Sequence, residues 1–155
     1  MSTKIPGRLM DDDCGRLSAI VSGKNVLMLG CHCGRALVIV AKYAWATWVV
    51  DDLLCSEGVA GELQANADRY LPADAEVNLI HDRDGLWVFP EGARDLPADG
   101  VEVVYRDADR REESRQADDM VAQTFLQQRG GTYAWHDDEH NLRWLEVKAT
   151  PLEVN

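Results

Sequence analysis

The segment 25–43 reads N-V-L-M-L-G-C-H-C-G-R-A-L-V-I-V-A-K-Y, and it decides the fold class. Asn25–Leu29 is an apolar run that stops at Gly30, as expected of a strand that is buried on both faces. Residues 34–43 follow, with apolar side chains at helical spacing. The segment therefore predicts a strand, a tight glycine-bounded turn, and a helix whose N-terminus points at that turn.

Strand-like and helix-like segments alternate along the rest of the chain. Further strands are predicted at residues 47–50, 76–80, 86–89, 101–105, 132–135 and 142–149, and helices at residues 11–21, 57–70 and 114–128. Gly130 and Gly131 are expected to end the last helix. The alternation predicts an α/β fold with a Rossmann-like, mostly parallel sheet and helices on both faces. We expect one domain over residues 1–155, truncated at its C-terminus.

The charge balance narrows the classes of partner. Lys and Arg number 16 against 27 Asp and Glu, so the net charge is −11. Such a field repels nucleic acids and anionic membranes, which favours a small molecule as the substrate. The longest apolar stretch is too interrupted for a membrane span, and residues 1–6 lack the apolar core of a secretory signal. A cytoplasmic location is therefore expected.

Acidic residues follow the predicted strands. In an open parallel sheet, ligands bind at the edge formed by the carboxyl ends of the strands. Capping of the following helices explains some of these carboxylates without any ligand. A separate acidic run, at residues 11–13, is interpreted as a solvated helix cap. The residues that follow strands are Asp51, Asp52, Asp82, Asp84, Asp107, Asp109, Asp137 and Asp138.

The glycine spacing favours an adenosyl ligand over a dinucleotide. Gly30 and Gly34 form G-x-x-x-G, whereas a dinucleotide-binding turn requires G-x-G-x-x-G. Asp51 ends the next strand, about 20 residues further on, where a carboxylate can accept both ribose hydroxyls. The turn and Asp51 together predict a site for an adenosine moiety.

Residues 26–42 resemble the first motif of the class I S-adenosylmethionine-dependent methyltransferases. They are particularly similar to the catechol O-methyltransferase-like branch, whose motif reads much like V-L-E-L-G-x-x-C-G-Y-S. Residues 49–51, 103–107 and 130–138 resemble later motifs of the family in the same order, and D-A-D-R at 107–110 resembles its D-G-D-H signature. The similarity extends over about three quarters of the chain.

This resemblance implies a cofactor site for S-adenosylmethionine and transfer of its methyl group to a hydroxyl of a small molecule. Asp107 is an alternative partner for the cofactor's amino group, because Met28 stands where the family usually has an acidic residue. The other implied contacts are Gly30, Cys31, His32 and Gly34 at the methionine end, Asp51 at the ribose, and Asp82 and Arg83 near the adenine.

The resemblance also implies catalytic and metal-binding roles. Asp107, Asp137 and Asp138 would form an oxygen-rich site for Mg²⁺, which would lower the pKa of a chelated hydroxyl. Arg110 stands where the catechol-type enzymes have a lysine base. It stays protonated, so it would stabilise an anion. His136 is the candidate for proton transfer.

Three alternatives stay open at this stage. Cys31, Cys33, His136 and His140 offer zinc ligands, although Cys31 and Cys33 lack the usual two-residue spacer. The chain is also compatible with a catalytically inactive methyltransferase-fold domain that binds cofactor or assembles with another protein. Finally, the strand at 142–149 has the character of an exposed edge, which suggests a homo-oligomer.

Overall fold

A computed structural model describes residues 9–30, 34–51, 57–81, 100–107, 119–120, 122–127 and 129–150. Within these ranges the helices and strands alternate as the sequence predicts. The elements are α1 (Asp11–Val21), β1 (Asn25–Leu29), α2 (Arg35–Tyr43), β2 (Ala46–Asp51), α3 (Glu57–Tyr70), β3 (Val77–His81), β4 (Val103–Arg106), β5 (Gly131–His136) and β6 (Leu142–Val147). Residues 119–120 and 122–126 are also helical. The short strand predicted at 86–89 lies outside the described residues.

The strands form one six-stranded sheet in the order β3-β2-β1-β4-β5-β6. The first five strands are parallel, and β6 pairs antiparallel with β5 at the edge. β1 is central, and its residues 26–29 are fully buried because strands and helices cover the apolar run on every side. The α/β, Rossmann-like fold class is confirmed.

The two faces of the sheet carry separate cores, which we call the front and the back. On the front, Met28 and Tyr105 pack with apolar residues of α1 and α2. On the back, Leu27 and Tyr133 pack with Ala122 and Leu126. Because side chains alternate along a strand, neighbouring residues such as Leu27 and Met28 serve opposite cores. Helices therefore cover both faces, as the alternation predicts.

α1 is fixed to the sheet by a buried carboxylate. Asp13 is 4% exposed, and its Oδ2 accepts the backbone N–H of Leu142 at 3.0 Å, while Oδ1 accepts a hydrogen bond from Arg16 at 2.8 Å. The interpretation of residues 11–13 as a solvated cap is therefore wrong for Asp13. Its carboxylate accepts the N–H of Leu142, the first residue of the edge strand β6.

We expect Asp13→Ala to destabilise the domain by about 1–3 kcal/mol, because the buried Leu142 N–H would lose its acceptor. The matched control is Asp12→Ala, which removes an exposed carboxylate from the same helical turn and should change stability by less than about 0.5 kcal/mol. Urea unfolding monitored by circular dichroism measures both. Equal losses of stability in the two variants would contradict the role of the Asp13 carboxylate in fixing α1 to β6.

None of the helical segments within the described ranges is long and apolar enough to cross a bilayer.

Candidate functional site

The carboxyl edge of the sheet brings the first predicted turn next to the end of β4. Gly30 has a φ of 88° and Gly34 a φ of 96°, a region that favours glycine. The backbone N–H of Asp107 donates to the carbonyl of Leu29 at 3.0 Å, so Asp107 continues the pairing of β4 with β1. Asp107 is buried, at 7% exposure, beside the start of the turn.

The N-terminus of α2 lies at this edge. Its N-cap is Gly34, which has no side chain to accept the first N–H groups, and the first turn of the helix contains no acidic residue. Unsatisfied N–H groups and the helix dipole together favour an anionic group at this position. The N-terminus of α2 therefore fits a ligand carboxylate, such as that of the methionine end of S-adenosylmethionine.

Met28, which stands at the family's acidic position, belongs to the front core. It is fully buried and is the register partner of Tyr105 on β4. A thioether in this core cannot accept a strong hydrogen bond from a ligand amino group. Asp107, one strand away and at the same edge, is the described carboxylate beside Gly30.

His136 ends β5 and is buried, at 7% exposure. Its Nδ1 lies 3.1 Å from the carbonyl of His140, and its Nε2 lies 2.5 Å from the hydroxyl of Tyr105. A carbonyl can only accept, so Nδ1 carries a proton, and in the neutral ring Nε2 is the acceptor for the tyrosine hydroxyl. Both ring nitrogens are therefore engaged within the protein, which argues against the proton-transfer role expected for His136.

Asp137 holds together the turn between β5 and β6. Its Oδ1 accepts the backbone N–H groups of Glu139 and Asn141, at 3.0 and 2.9 Å. Its Oδ2 accepts from the side chains of Asn141 and Arg143, at 3.4 and 3.0 Å. Both carboxylate oxygens are therefore committed to the turn.

The described residues do not fit the expected Mg²⁺ site. Asp107, Asp137 and Asp138 all lie in the described ranges, yet within those ranges no three acidic, histidine or cysteine side chains come together as a metal-binding group. The physical reason is local, because Asp137 folds onto its own turn while Asp107 is buried at the end of β4. The zinc alternative rests on Cys31 and Cys33, which lie outside the described residues.

The hydrogen bonds at Asp137 outweigh its desolvation. Burial raises the pKa of its carboxyl, but the Asn141 N–H, the Arg143 and Asn141 side chains and the Glu139 N–H together hold it below its ordinary value of about 4. A folded-state pKa below the unfolded one stabilises the protein above about pH 4, and this stabilisation is lost as the pH falls through the folded pKa.

We expect Asp137→Asn to lower the melting temperature at pH 7 and to flatten its decline between about pH 5 and pH 2. The control is Glu139→Gln, which neutralises an exposed carboxylate of the same turn. Thermal melts across this pH range measure both. A pH profile for Asp137→Asn that parallels the wild type would contradict the role of the turn.

The structure does not describe every predicted site residue. The backbone of Asp51 ends β2 and pairs in register with His81, which places Asp51 at the carboxyl edge two strands from Asp107. The remaining predicted residues of the cofactor and catalytic sets lie outside the described ranges: Cys31, His32, Asp82, Arg83 and Arg110.

Sequence reasoning missed Tyr105 and Arg106. They are consecutive on β4, so Tyr105 enters the front core and Arg106 faces the back. Strand alternation was the available signal, but a tyrosine at the end of an apolar strand looks like ordinary packing until His136 is placed beside it.

No family profile matches the chain, and no curated protein sequence matches it significantly. Solved structures do. The chain is similar to an O-methyltransferase from Bacillus cereus in complex with S-adenosylhomocysteine, with a TM-score of 0.65 and 16% identity over 84% of this chain and 59% of that chain.

Two further solved structures are also similar to the chain. A magnesium protoporphyrin IX methyltransferase from Synechocystis, solved with bound S-adenosylmethionine, gives a TM-score of 0.54 at 18% identity, over 83% of this chain and 57% of that one. An rRNA methylase from Streptococcus thermophilus gives 0.55 at 13%, over 80% and 67%. The chain thus spans just over half to two thirds of these proteins. It has the fold of the class I S-adenosylmethionine-dependent methyltransferases.

Proposed function

We propose that the chain binds S-adenosylmethionine at the carboxyl edge of its sheet and transfers the methyl group to a hydroxyl of a small molecule. The observation that supports this proposal is the set of groups at the carboxyl edge of the sheet. The Gly30 turn, the uncapped N-terminus of α2 and the buried Asp107 meet there. The fold is similar to that of proteins solved with this cofactor or its product bound.

The residues at this edge divide the cofactor between them. Gly30 and Gly34 let the backbone approach closely, and the N–H groups at the start of α2 receive the carboxylate of the methionine end. Asp51 accepts hydrogen bonds from the ribose hydroxyls. In the same proposal, Cys31 and His32 contribute turn amides, and Asp82 and Arg83 lie near the adenine.

Asp107 takes the role that the family's acidic residue has at the position of Met28. A buried carboxylate beside Gly30 is a charge-assisted acceptor for the ammonium group of the methionine end. The core needs Met28 as an apolar residue, since it is fully buried against Tyr105. The amino group is therefore bound from β4 and not from β1.

When bound, the cofactor supplies an electrophilic methyl group on a sulfonium ion. Transfer forms the bond from oxygen to the methyl carbon and breaks the bond from that carbon to sulfur, and S-adenosylhomocysteine and one proton leave, the proton passing to water. The protein has to orient the acceptor oxygen and stabilise the negative charge that develops on it as its proton leaves. Arg110, three residues beyond Asp107, is proposed to stabilise that charge. No step is assigned to Mg²⁺, because Asp137 has committed both oxygens to its turn. No step is assigned to His136, because Tyr105 occupies its Nε2.

The acceptor class rests on two arguments. A net charge of −11 disfavours a nucleic acid as the acceptor. The resemblance to the catechol O-methyltransferase-like branch favours a hydroxyl of a small molecule. The test is transfer of tritium from labelled S-adenosylmethionine to catechols, simple phenols, aliphatic alcohols and ribosomal RNA, each at low salt. Labelling of a phenol or alcohol supports the proposal. Labelling confined to RNA would overturn its acceptor class.

A second candidate is a cofactor-binding domain without transferase activity. The specific observation that favours it is Met28, which sits in the core where the family has a functional carboxylate. The two candidates separate in one pair of measurements. S-adenosylhomocysteine binding together with no labelling of any acceptor class would favour the binding domain.

A further inference from the structure

The back face of the sheet contains a cavity of about 600 Å³. It lies between strands β5 and β6 on one side and Asp119, Ala122, Gln123 and Gln127 on the other. Tyr133 and Trp135 form an aromatic wall, with ring centroids 5.2 Å apart. A volume of this size suits a small organic ligand.

A short turn, and not a helix, joins β5 to β6. A crossover helix would cover the back face of the last strands in a doubly wound sheet. Here residues 137–141 turn the chain directly from β5 into β6. Leu145 on β6 is consequently 45% exposed at the mouth of the cavity.

Arg106 lines this cavity, and its guanidinium makes fewer hydrogen bonds than it has N–H donors. Its side chain is only 9% exposed, and among the described residues its single hydrogen bond runs 3.4 Å from Nη1 to Asp119. The same Asp119 oxygen accepts a shorter bond, of 2.7 Å, from the Tyr133 hydroxyl. A guanidinium has five N–H donors, and the bond to Asp119 uses one of those on Arg106.

The charges that line the cavity balance in number. The cations are Arg106 and Lys148, and the carboxylates are Asp119 and Glu146. The Glu146 carboxylate accepts a hydrogen bond of 2.9 Å from the hydroxyl of Thr132, and the Asp119 side chain is 52% exposed. Arg106 differs from the other three in being nearly buried while it makes one long hydrogen bond.

We propose that this cavity binds a small aromatic oxyanion, meaning a planar ring that carries a carboxylate or a phosphate. The fork of guanidinium N–H donors on Arg106 matches an oxyanion in a bidentate arrangement. The partly buried ring of Trp135 offers the apolar surface that a planar molecule covers, and the Arg106 guanidinium lies over the Tyr133 ring, 5.9 Å from its centroid. The cavity lies on the back face of the sheet, and the proposal does not depend on methyl transfer.

The test is calorimetric titration of the whole chain with 2-naphthoate, 2-naphthyl phosphate and the neutral 2-naphthamide, without any S-adenosyl compound. We expect 2-naphthoate to bind with a Kd of roughly 0.1–1 mM, given the affinity per atom that ligands of this size reach. The amide should bind at least about tenfold more weakly, because it lacks the charge-assisted bonds. Tighter binding of the phosphate than of the carboxylate would assign the oxyanion as a phosphate.

Three variants make the assignment specific. Arg106→Gln should weaken 2-naphthoate binding at least about tenfold, and Arg106→Lys should recover only part of it, because lysine lacks the fork. The matched control, Arg129→Gln, removes an exposed arginine outside the cavity and should leave the affinity unchanged. Melting curves confirm that each variant is folded.

Three results would each overturn the proposal. The first is equal affinity for naphthoate and naphthamide, which would leave the charge without a role. The second is an equal loss of affinity in the Arg106→Gln and Arg129→Gln variants. The third is no binding of any probe at about 5 mM, well above the expected Kd.

Discussion

Gly131→Ala is expected to cost at least about 3 kcal/mol of folding stability. A Cβ at this position would lie 2.1 Å from the backbone oxygen of Glu102 and 2.8 Å from a methyl group of Leu126. The backbone oxygen cannot retreat cheaply, because it accepts the N–H of Thr132 at 2.9 Å where β5 begins to pair with β4. A loss of this size is a large share of the roughly 5–15 kcal/mol that stabilises a typical domain.

Gly15→Ala is the matched control for this prediction. Gly15 lies within α1, and a Cβ there would meet no atom within 4 Å. Replacing a helical glycine should therefore stabilise the domain by about 0.5–1 kcal/mol. Urea unfolding measures both variants. A change of less than about 1 kcal/mol in the free energy of unfolding of Gly131→Ala would contradict the close approach of Gly131 to Glu102 at the start of the β4–β5 pairing.

Asp107→Asn is expected to weaken the binding of S-adenosylhomocysteine about tenfold to a hundredfold. The substitution keeps the shape of the side chain and removes the charge that we assign to the ammonium group of the ligand. Hydrogen bonds to charged groups are worth about 1.5–3 kcal/mol, and 1.4 kcal/mol corresponds to a factor of ten in affinity. Calorimetric titration at pH 7.5 measures the change.

The matched probe is 5′-methylthioadenosine, which keeps the adenosine and the thioether but lacks the amino acid. Its affinity should be the same for wild type and Asp107→Asn, because it has no ammonium group for Asp107 to bind. An equal loss for both ligands would show that Asp107 acts by supporting the edge. Undiminished binding of S-adenosylhomocysteine would place the ammonium group elsewhere.

Much of the fold follows from local sequence pattern. The predicted bounds of β1, α1 and α3 agree with the structure residue for residue. Each of these segments has a strong boundary or a clear period: β1 is an apolar run stopped by Gly30, and α1 begins at an acidic first turn. The turn at Gly130 was also predictable, and its N–H donates to the Leu126 carbonyl at 2.7 Å, as a helix-ending glycine does.

The interactions within the site were less predictable because they join distant parts of the chain. The sequence indicates His136 as a candidate for proton transfer but does not show its partners. Only the register of β4 and β5 brings Tyr105 within reach of its Nε2. Asp137 reads as a strand-end ligand, yet the short turn to β6 turns its carboxylate back onto Asn141 and Arg143. Residue type and position along a strand do not fix which hydrogen bonds a polar side chain makes.

The central claim is that the carboxyl edge at Gly30 and Asp107 binds S-adenosylmethionine. Calorimetric titration of the whole chain with S-adenosylmethionine and with S-adenosylhomocysteine tests it most directly. We predict one site per chain with micromolar affinity for both ligands, unchanged by added Mg²⁺. Absence of binding by either ligand at millimolar concentration, from a protein shown to be folded by its melting curve, would contradict the claim.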